Sequence, residues 1–475
     1  MNELAQYLDC PLHCPSPVFR ACFAALRDAH PEMDEAKLND ELLFRATYAG
    51  EPLDEARLRR LKSDMCRLIE DFLVLKELRK SPRLRSELLI GALARKDDYH
   101  LFKETIGKRL RKLEDAGERG QAFHAEAAFL YQSLYHHPET DVLDRDEPLQ
   151  QKSIEHLEQQ FAIAYLQNAG ESLVRQRVID ARERMPFIEA TSRFEEKQAG
   201  KFPVLQSFQA LFRLLKEPIG SESFEEVRSQ VLNNLHHMDI GEQQMALKLL
   251  TTKAFWLSVN GKAEASRWVF ELYKTSFETG LSVGPNGKTS TNQFLNMVIS
   301  AAKVREYDWA LDFLQRQKRF LPEGEKKIVE RLSLGSIYFQ QAKDTDQLSF
   351  YHMALEHLDR MPQRSHVIYN LRARSLSLRI YYELFRHDGD LEPVERQVKN
   401  FDRYLHGNTT ISKSKKLAYR NYLKGFWALL KLVLTPGLSK SNVDAYIGNY
   451  MALEPIALKT WLKEKAEELK ASLHH

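Results

Sequence analysis

The chain has 475 residues, too many for one compact core, so it calls for two or three domains or one elongated array. Hydrophobic residues make up 43% and charged residues 28%, which excludes a disordered or fibrous chain. The net charge of +3 is too small to indicate a nucleic-acid partner without a local basic patch.

At the start, Met1-Asn2-Glu3-Leu4-Ala5-Gln6-Tyr7-Leu8 has neither the basic flank nor the apolar run of a secretory signal. All four cysteines precede residue 67, which fits reduced thiols in a cytoplasmic protein better than a disulfide framework. Cys10-Pro11-Leu12-His13-Cys14, followed by Cys22 and His30, carries zinc-ligand chemistry. The spacing is not that of paired knuckles, however. Cys22 falls on the apolar face of Val18, Phe19, Phe23 and Leu26, where a thiol acts as a small hydrophobe. Cys66, beside Met65, is expected to be buried in the same way, and no metal is expected.

From Arg57 to Leu75 the apolar positions Leu58, Leu61, Met65, Leu68, Ile69, Phe72 and Leu75 recur at offsets of three and four, predicting one helix stripe with Asp54 as N-cap. The same region is rich in cations: Arg57, Arg59, Arg60, Lys62 and Arg67, then Arg79, Lys80, Arg83 and Arg85, then Lys108, Arg109, Arg111 and Lys112. Tyr99, His100 and Phe102 lie between the last two groups. On one face, Arg57, Arg59, Arg60, Lys62, Arg83, Arg85, Lys108, Arg109, Arg111 and Lys112 would follow a phosphate backbone. Interleaved Glu70, Asp71, Glu77, Asp97, Asp98, Glu114 and Asp115 favour an ordinary solvated surface instead. Glu118-Arg119-Gly120 marks the expected boundary, giving an N-terminal helical domain over 1–118 and a second region over 119–475.

The neighbours His136-His137 and His236-His237 are expected at helix ends, facing apart and so making no ligand pair. Breakers cluster at His137 to Gln150, Pro218-Ile219-Gly220, Gly280 to Thr291, Pro322-Glu323-Gly324, Pro362, His387 to Pro393, Gly407-Asn408 and Pro436-Gly437. Between them run helical stripes of 12–20 residues. Val204, Leu205, Phe208, Leu211, Phe212 and Leu215 open after Pro203; Ala265, Trp268, Val269, Leu272 and Ser276 form another. No alternating β-branched run occurs, so a sheet is not expected. Gly284-Pro285-Asn286-Gly287-Lys288-Thr289 has the ending of a phosphate loop. Ser282 replaces the first glycine and a helix, not a strand, precedes it, so a turn is expected, with Ser290 or Thr291 capping the next helix.

Residues 291–322 carry a repeat signature. Phe294 and Met297 lead a first helix; Arg305-Glu306-Tyr307-Asp308-Trp309-Ala310-Leu311-Asp312-Phe313 forms the second, with Ala310 at the small contact position and Pro322 at the end. The next unit carries Leu334-Gly335-Ser336-Ile337-Tyr338, then Ala354-Leu355, and ends near Pro362. These units resemble the 34-residue tetratricopeptide repeat, departing from it at Val298, Ala301 and Gln317. The flanking stretches 203–280 and 366–430 share the rhythm but not the letters. The resemblance implies helical hairpins stacked as an α-solenoid with a concave binding surface; an irregular helical bundle with one repeat-like hairpin is the alternative. Leu42 to Leu78, with Tyr48-Ala49-Gly50-Glu51-Pro52-Leu53-Asp54, also resembles a family of bacterial helical-repeat proteins, which bears on architecture alone.

Nearer the end, His387-Asp388-Gly389-Asp390 has a metal-phosphohydrolase dipeptide, but Gly389 and Pro393 point to a turn. Tyr419, Tyr422, Phe426 and Trp427, after Lys413, Lys415 and Lys416, have core spacing. Trp427 to Leu434, broken by Lys431, is too short for a bilayer span. No nucleophile elbow is present. The expectation is an all-α, tetratricopeptide-like solenoid behind an N-terminal helical domain. It would act as a scaffold or adaptor for an unidentified protein partner, without catalysis or cofactor. A nucleic-acid-binding regulator using the basic N-terminal helices is the alternative.

Overall fold

The computed structural model describes residues 1–14, 16–30, 38–96, 98–140, 148–179, 183–192, 202–218, 223–284, 286–362 and 366–473. Asp97, Pro285, Ile219-Gly220 and residues 141–147 of the acidic His137–Gln150 stretch lie outside them. The described residues form helices joined by turns, with no strand among them beyond an isolated bridge between Val283 and Thr289. No helix among them is long and apolar enough to cross a membrane. The chain divides into two compact units, 1–160 and 161–475, and Glu118–Gly120 is a short link inside the first.

The first unit contains α1 (Asn2–Asp9), α2 (Pro17–Ala29), α3 (Asp40–Thr47), α4 (Glu55–Lys80), α5 (Pro82–Leu93), α6 (Tyr99–Asp115), α7 (Gln121–Tyr135) and the start of α8 (Leu149–Ile179). Asp54 caps α4 as expected, accepting from the Ala56 and Arg57 amides at 2.9 and 3.0 Å. Leu58, Leu61 and Met65 of the predicted stripe are buried against Cys14, Cys22 and Phe23. The stripe is then covered less deeply: Leu68, Ile69, Phe72 and Leu75 are half-buried, while Leu73 and Val74, off the stripe, are exposed. Cys22 is a core hydrophobe, as its spacing implies. Cys66 is exposed, because it lies one residue round the helix from the buried Met65 and turns to solvent.

A second cluster in this unit gathers Ile90, Phe102, Ile106, Leu130, Leu134 and Leu149. Beside it Arg109 forms a two-pronged ion pair with Glu126 at 2.5 and 2.8 Å, both side chains largely shielded from water. His124 and His156 meet through their Nδ1 atoms at 2.9 Å, and Tyr131 stacks on His156. Burial holds both imidazoles below their usual range, His124 down to about 3.

The second unit contains the rest of α8, then α9 (Ile188–Ser192), α10 (Pro203–Lys216), α11 (Phe224–Asn234), α12 (Ile240–Val259), α13 (Ala265–Glu278), α14 (Thr291–Lys303), α15 (Tyr307–Gln317), α16 (Lys326–Thr345), α17 (Leu348–Asp359), α18 (Val367–Asp388), α19 (Glu392–Gly407), α20 (Lys413–Val433), α21 (Lys440–Met451) and α22 (Lys459–Ser472). Successive helices pack as hairpins: α10 on α11, α12 on α13, α14 on α15, α16 on α17, α18 on α19 and α20 on α21. The first helices also touch one another along the chain, α10 with α12, α14 with α16, and α16 with α18.

Side-chain volume sets these approaches. Gly335 on α16 sits so close to α17 that an added Cβ would lie 2.9 Å from Leu358. Ala310 and Ala354 are fully buried at the corresponding contacts of their hairpins. The predicted stripe of α10 is buried from Val204 to Leu215, and that of α13 from Ala265 to Ser276. Lys253, with no exposed surface, donates to the Leu214 and Glu217 carbonyls at 2.7 and 3.0 Å, closing the C-terminus of α10.

Candidate binding groove

One side of the second unit holds a groove of about 1090 Å³. Its walls follow helical periodicity. The capping box Asp239–Glu242 starts α12, which buries Leu247, Leu250, Ala254 and Leu257 in the core. The adjoining face presents Gln244, Lys248, Thr252 and Phe255 to the groove, at offsets of three and four. α13 adds Ser266, Tyr273 and Ser276. α14 adds Asn292, Asn296, Ile299 and Lys303 on one stripe, and Arg372 reaches in from α18.

The floor between α13 and α14 is the Gly284–Thr289 loop. The Gly284 amide donates to the Lys288 carbonyl at 2.8 Å, the Gly287 amide to the Gly284 carbonyl at 2.9 Å, and Gly287 has φ of +69°. This is a tight turn: the Gly284, Gly287 and Lys288 amides are spent within the loop and the Thr289 amide on the Phe320 carbonyl, so these amides do not encircle a phosphate. The helix cap differs from expectation. Ser290 occupies the N-cap position of α14 without a side-chain cap bond, and the Thr291 hydroxyl turns away to donate to Glu325.

The groove is polar and carries one sign of charge. Carboxylates are 66 of the 475 residues, so thirty lining residues would carry about four by composition. Among the described residues the lining has none, and it has four cations: Lys248, Lys288, Lys303 and Arg372. Lys248 is matched at the edge by Glu171 at 2.7 Å. Arg372 donates through Nη2 to Asn292 Oδ1 at 2.6 Å, while its buried Nη1 has no hydrogen-bond partner among the described residues. A buried unmade donor costs about 1–3 kcal/mol, and an acceptor arriving from solvent meets this nitrogen only after the side chain shifts outward. Burial lowers the Arg372 pKa, and the Lys303 pKa as well. Atoms packed around Lys303 desolvate its ammonium although part of the side chain still reaches water. Glu464 acts on Lys303 through space without forming an ion pair. Tyr273, whose phenol burial raises, accepts from Asn296 Nδ2 at 3.5 Å.

The basic residues singled out in the sequence lie in the first unit. Arg57, Arg59, Arg60 and Lys62 belong to α4, Arg83 and Arg85 to α5, and Lys108, Arg109, Arg111 and Lys112 to α6. Arg57 pairs with Glu51 at 2.6 Å over the Tyr48 ring, Lys62 with Asp40 at 2.5 Å, Arg83 with Glu87 and Lys108 with Glu104 at 2.7 Å each. Arg109 is held by Glu126, and Arg59 turns back onto the Glu55 carbonyl. Arg60, Arg85, Arg111 and Lys112 are exposed and form no ion pair among the described residues. At 100° per residue, Arg57, Arg59, Arg60 and Lys62 point around α4 instead of sharing one face.

Among the described residues no group of three or more His, Cys, Asp or Glu side chains could hold a metal ion. His387, in the last turn of α18, pairs with Asp346 at 3.1 Å, and Gly389 ends that helix with φ of +75°. The His236 and His237 rings do not face apart as expected. They lie on the 3-10 turn Leu235–His237, and their side chains turn toward each other, with ring centroids 3.9 Å apart. Tyr422 and Phe426 are core residues, as their spacing implies.

No protein-family model, curated protein or solved structure matches this chain.

Proposed function

We propose that this chain is a binding protein whose second unit is a tetratricopeptide-like array of helical hairpins holding a segment of a partner protein in its groove. The observation that carries this reading is the groove itself: an open, amide- and hydroxyl-rich wall formed by α12, α13, α14 and the loop between the last two, with Arg372 of α18 reaching in. Side-chain amides offer a donor and an acceptor together, which suits peptide main chain. Phe255, half exposed at the wall, and Ile299 supply apolar contact. The hairpin register at Gly335, Ala310 and Ala354 supports the repeat reading, because small residues stand where paired helices approach.

The nucleic-acid alternative draws on Arg59, Arg60, Arg85, Arg111 and Lys112, since carboxylates already match Arg57, Lys62, Arg83, Lys108 and Arg109. Affinity purification from nuclease-treated lysate separates the two. Wild type should retain a defined protein that Asn296→Trp, filling the groove, no longer holds. Retention by both proteins alike, or loss of all bound material on nuclease treatment, would contradict the proposal.

A further inference from the structure

We infer that the segment held in this groove is acidic, its carboxylates meeting Arg372 and Lys303 at separate points of the wall and a large apolar residue lying beside Phe255; this rests on the peptide-binding reading proposed above.

The charge argument begins with the absence of carboxylates from the lining among the described residues, in a chain that is otherwise nearly balanced. Lys303 and Arg372 have no ion-pairing partner among the described residues, and neither is free to leave: α14 and α18 hold both in the concave wall. A second arginine on the same helix extends the field. Arg379 follows Arg372 by seven residues, two turns on one face, and also forms no ion pair among the described residues; it lies over the Phe339 ring at 5.2 Å. Arg379 and Lys343 both oppose the Lys303 charge through space, against the pull of Glu464, and an incoming carboxylate relieves that repulsion. The Arg372 Nη2–Asn292 contact lies in an exposed part of the lining, so an incoming carboxylate can compete with Asn292 for that edge of the guanidinium.

Geometry sets the length. Asn292 and Lys303 are eleven residues apart on α14, so the stripe spans about 16 Å, enough for about five residues of extended chain. On α12, Lys248 and Phe255 are two turns apart on one face, placing a cation and an aromatic about 10 Å from each other. Asn292, Gln293 and Asn296 of α14 add side-chain amides to the same lining. The pattern favours an acidic peptide over a nucleic acid. The cations are few and separated, and the groove offers amides that match a peptide main chain where a phosphate polymer would need continuous positive charge.

The test uses the full chain, immobilised and panned against random dodecapeptides on beads. Retained sequences should be enriched in Asp and Glu next to Leu, Ile, Phe or Met. The best of them, measured by fluorescence anisotropy, should bind at least tenfold more weakly to Lys303→Gln and to Arg372→Gln, and should weaken as salt is raised. Lys303→Gln alters an exposed side chain, so it stays informative if Arg372→Gln destabilises the fold. Retained peptides without acidic enrichment, or affinity unchanged in Lys303→Gln, would overturn the inference and leave a neutral peptide groove. Retention of no peptide at all would overturn the peptide-binding reading itself. A twelve-nucleotide RNA or inorganic phosphate that binds where peptides do not would overturn the inference in favour of a phosphate ligand.

Discussion

The buried His124–His156 pair makes the first unit acid-sensitive in a measurable way. His124 is only 3% exposed and its pKa is held at about 3 against an ordinary 6.5, first by burial and then by His156. Its neighbours include Arg119, whose charge opposes a second cation, while Glu155 and Lys152 act on His156 in opposite directions. The folded state therefore binds fewer protons than the unfolded state wherever the pH lies below 6.5. Stability is intact above that value, and it is lost as pH falls from 6.5 toward 3. At about pH 5 the loss from His124 alone is about 2 kcal/mol, roughly a thirtyfold fall in protection. Hydrogen exchange of α7, corrected for intrinsic rates and compared between about pH 7.5 and 5, reads this directly. His124→Gln, which does not titrate, should lack most of the drop. Equal losses of protection in both proteins would refute the assignment.

Lys253→Met should destabilise the second unit by about 2–4 kcal/mol, because two carbonyls at the end of α10 lose their only described side-chain donor. Thermal unfolding compares the two, and an unchanged midpoint would remove Lys253 as a cap. Gly335→Val should destabilise by about 1–3 kcal/mol, since a side chain there meets Leu358 and forces α16 and α17 apart. Denaturant titration checks this, with Gly324→Val, at a position with open space around it, as the control. Thiol labelling under native conditions should modify Cys66 well before Cys22, which is buried and whose thiol burial pushes up. Simultaneous labelling would contradict the burial of Cys22.

Much of the helical layout was legible because apolar spacing and helix signals agree. Pro203 opens α10, Asp54 caps α4, and the stripes of α10 and α13 are buried where their periodicity places them. Small residues read as hairpin contacts, Ala310, Gly335 and Ala354, do lie where helices meet, since volume alone decides how closely two helices approach. Cys66 was misjudged because a neighbour's burial says nothing about a residue turned 100° away. The meeting of the rings at 236 and 237 is not legible in the sequence because spacing fixes only the Cβ directions, and side-chain torsions then bring the rings together. The groove was out of reach for a further reason. Asn292, Asn296, Lys303 and Arg372 read singly as solvated helix positions, and only folding brings Arg372 to Asn292 across eighty residues. The missing signal is a joint one: amides and cations at offsets of three and four on α14, with no carboxylate among them.

Site-specific photo-crosslinking tests the binding groove most directly. A photoreactive side chain replacing Asn296 in the groove, or Arg85 on the first unit, is irradiated with a dodecapeptide retained by the full chain. Crosslinks should form from position 296, vanish when excess unlabelled peptide is present, and be absent from position 85. Crosslinks from position 85 with none from position 296 would place binding on the basic helices of the first unit and contradict the groove as the functional site.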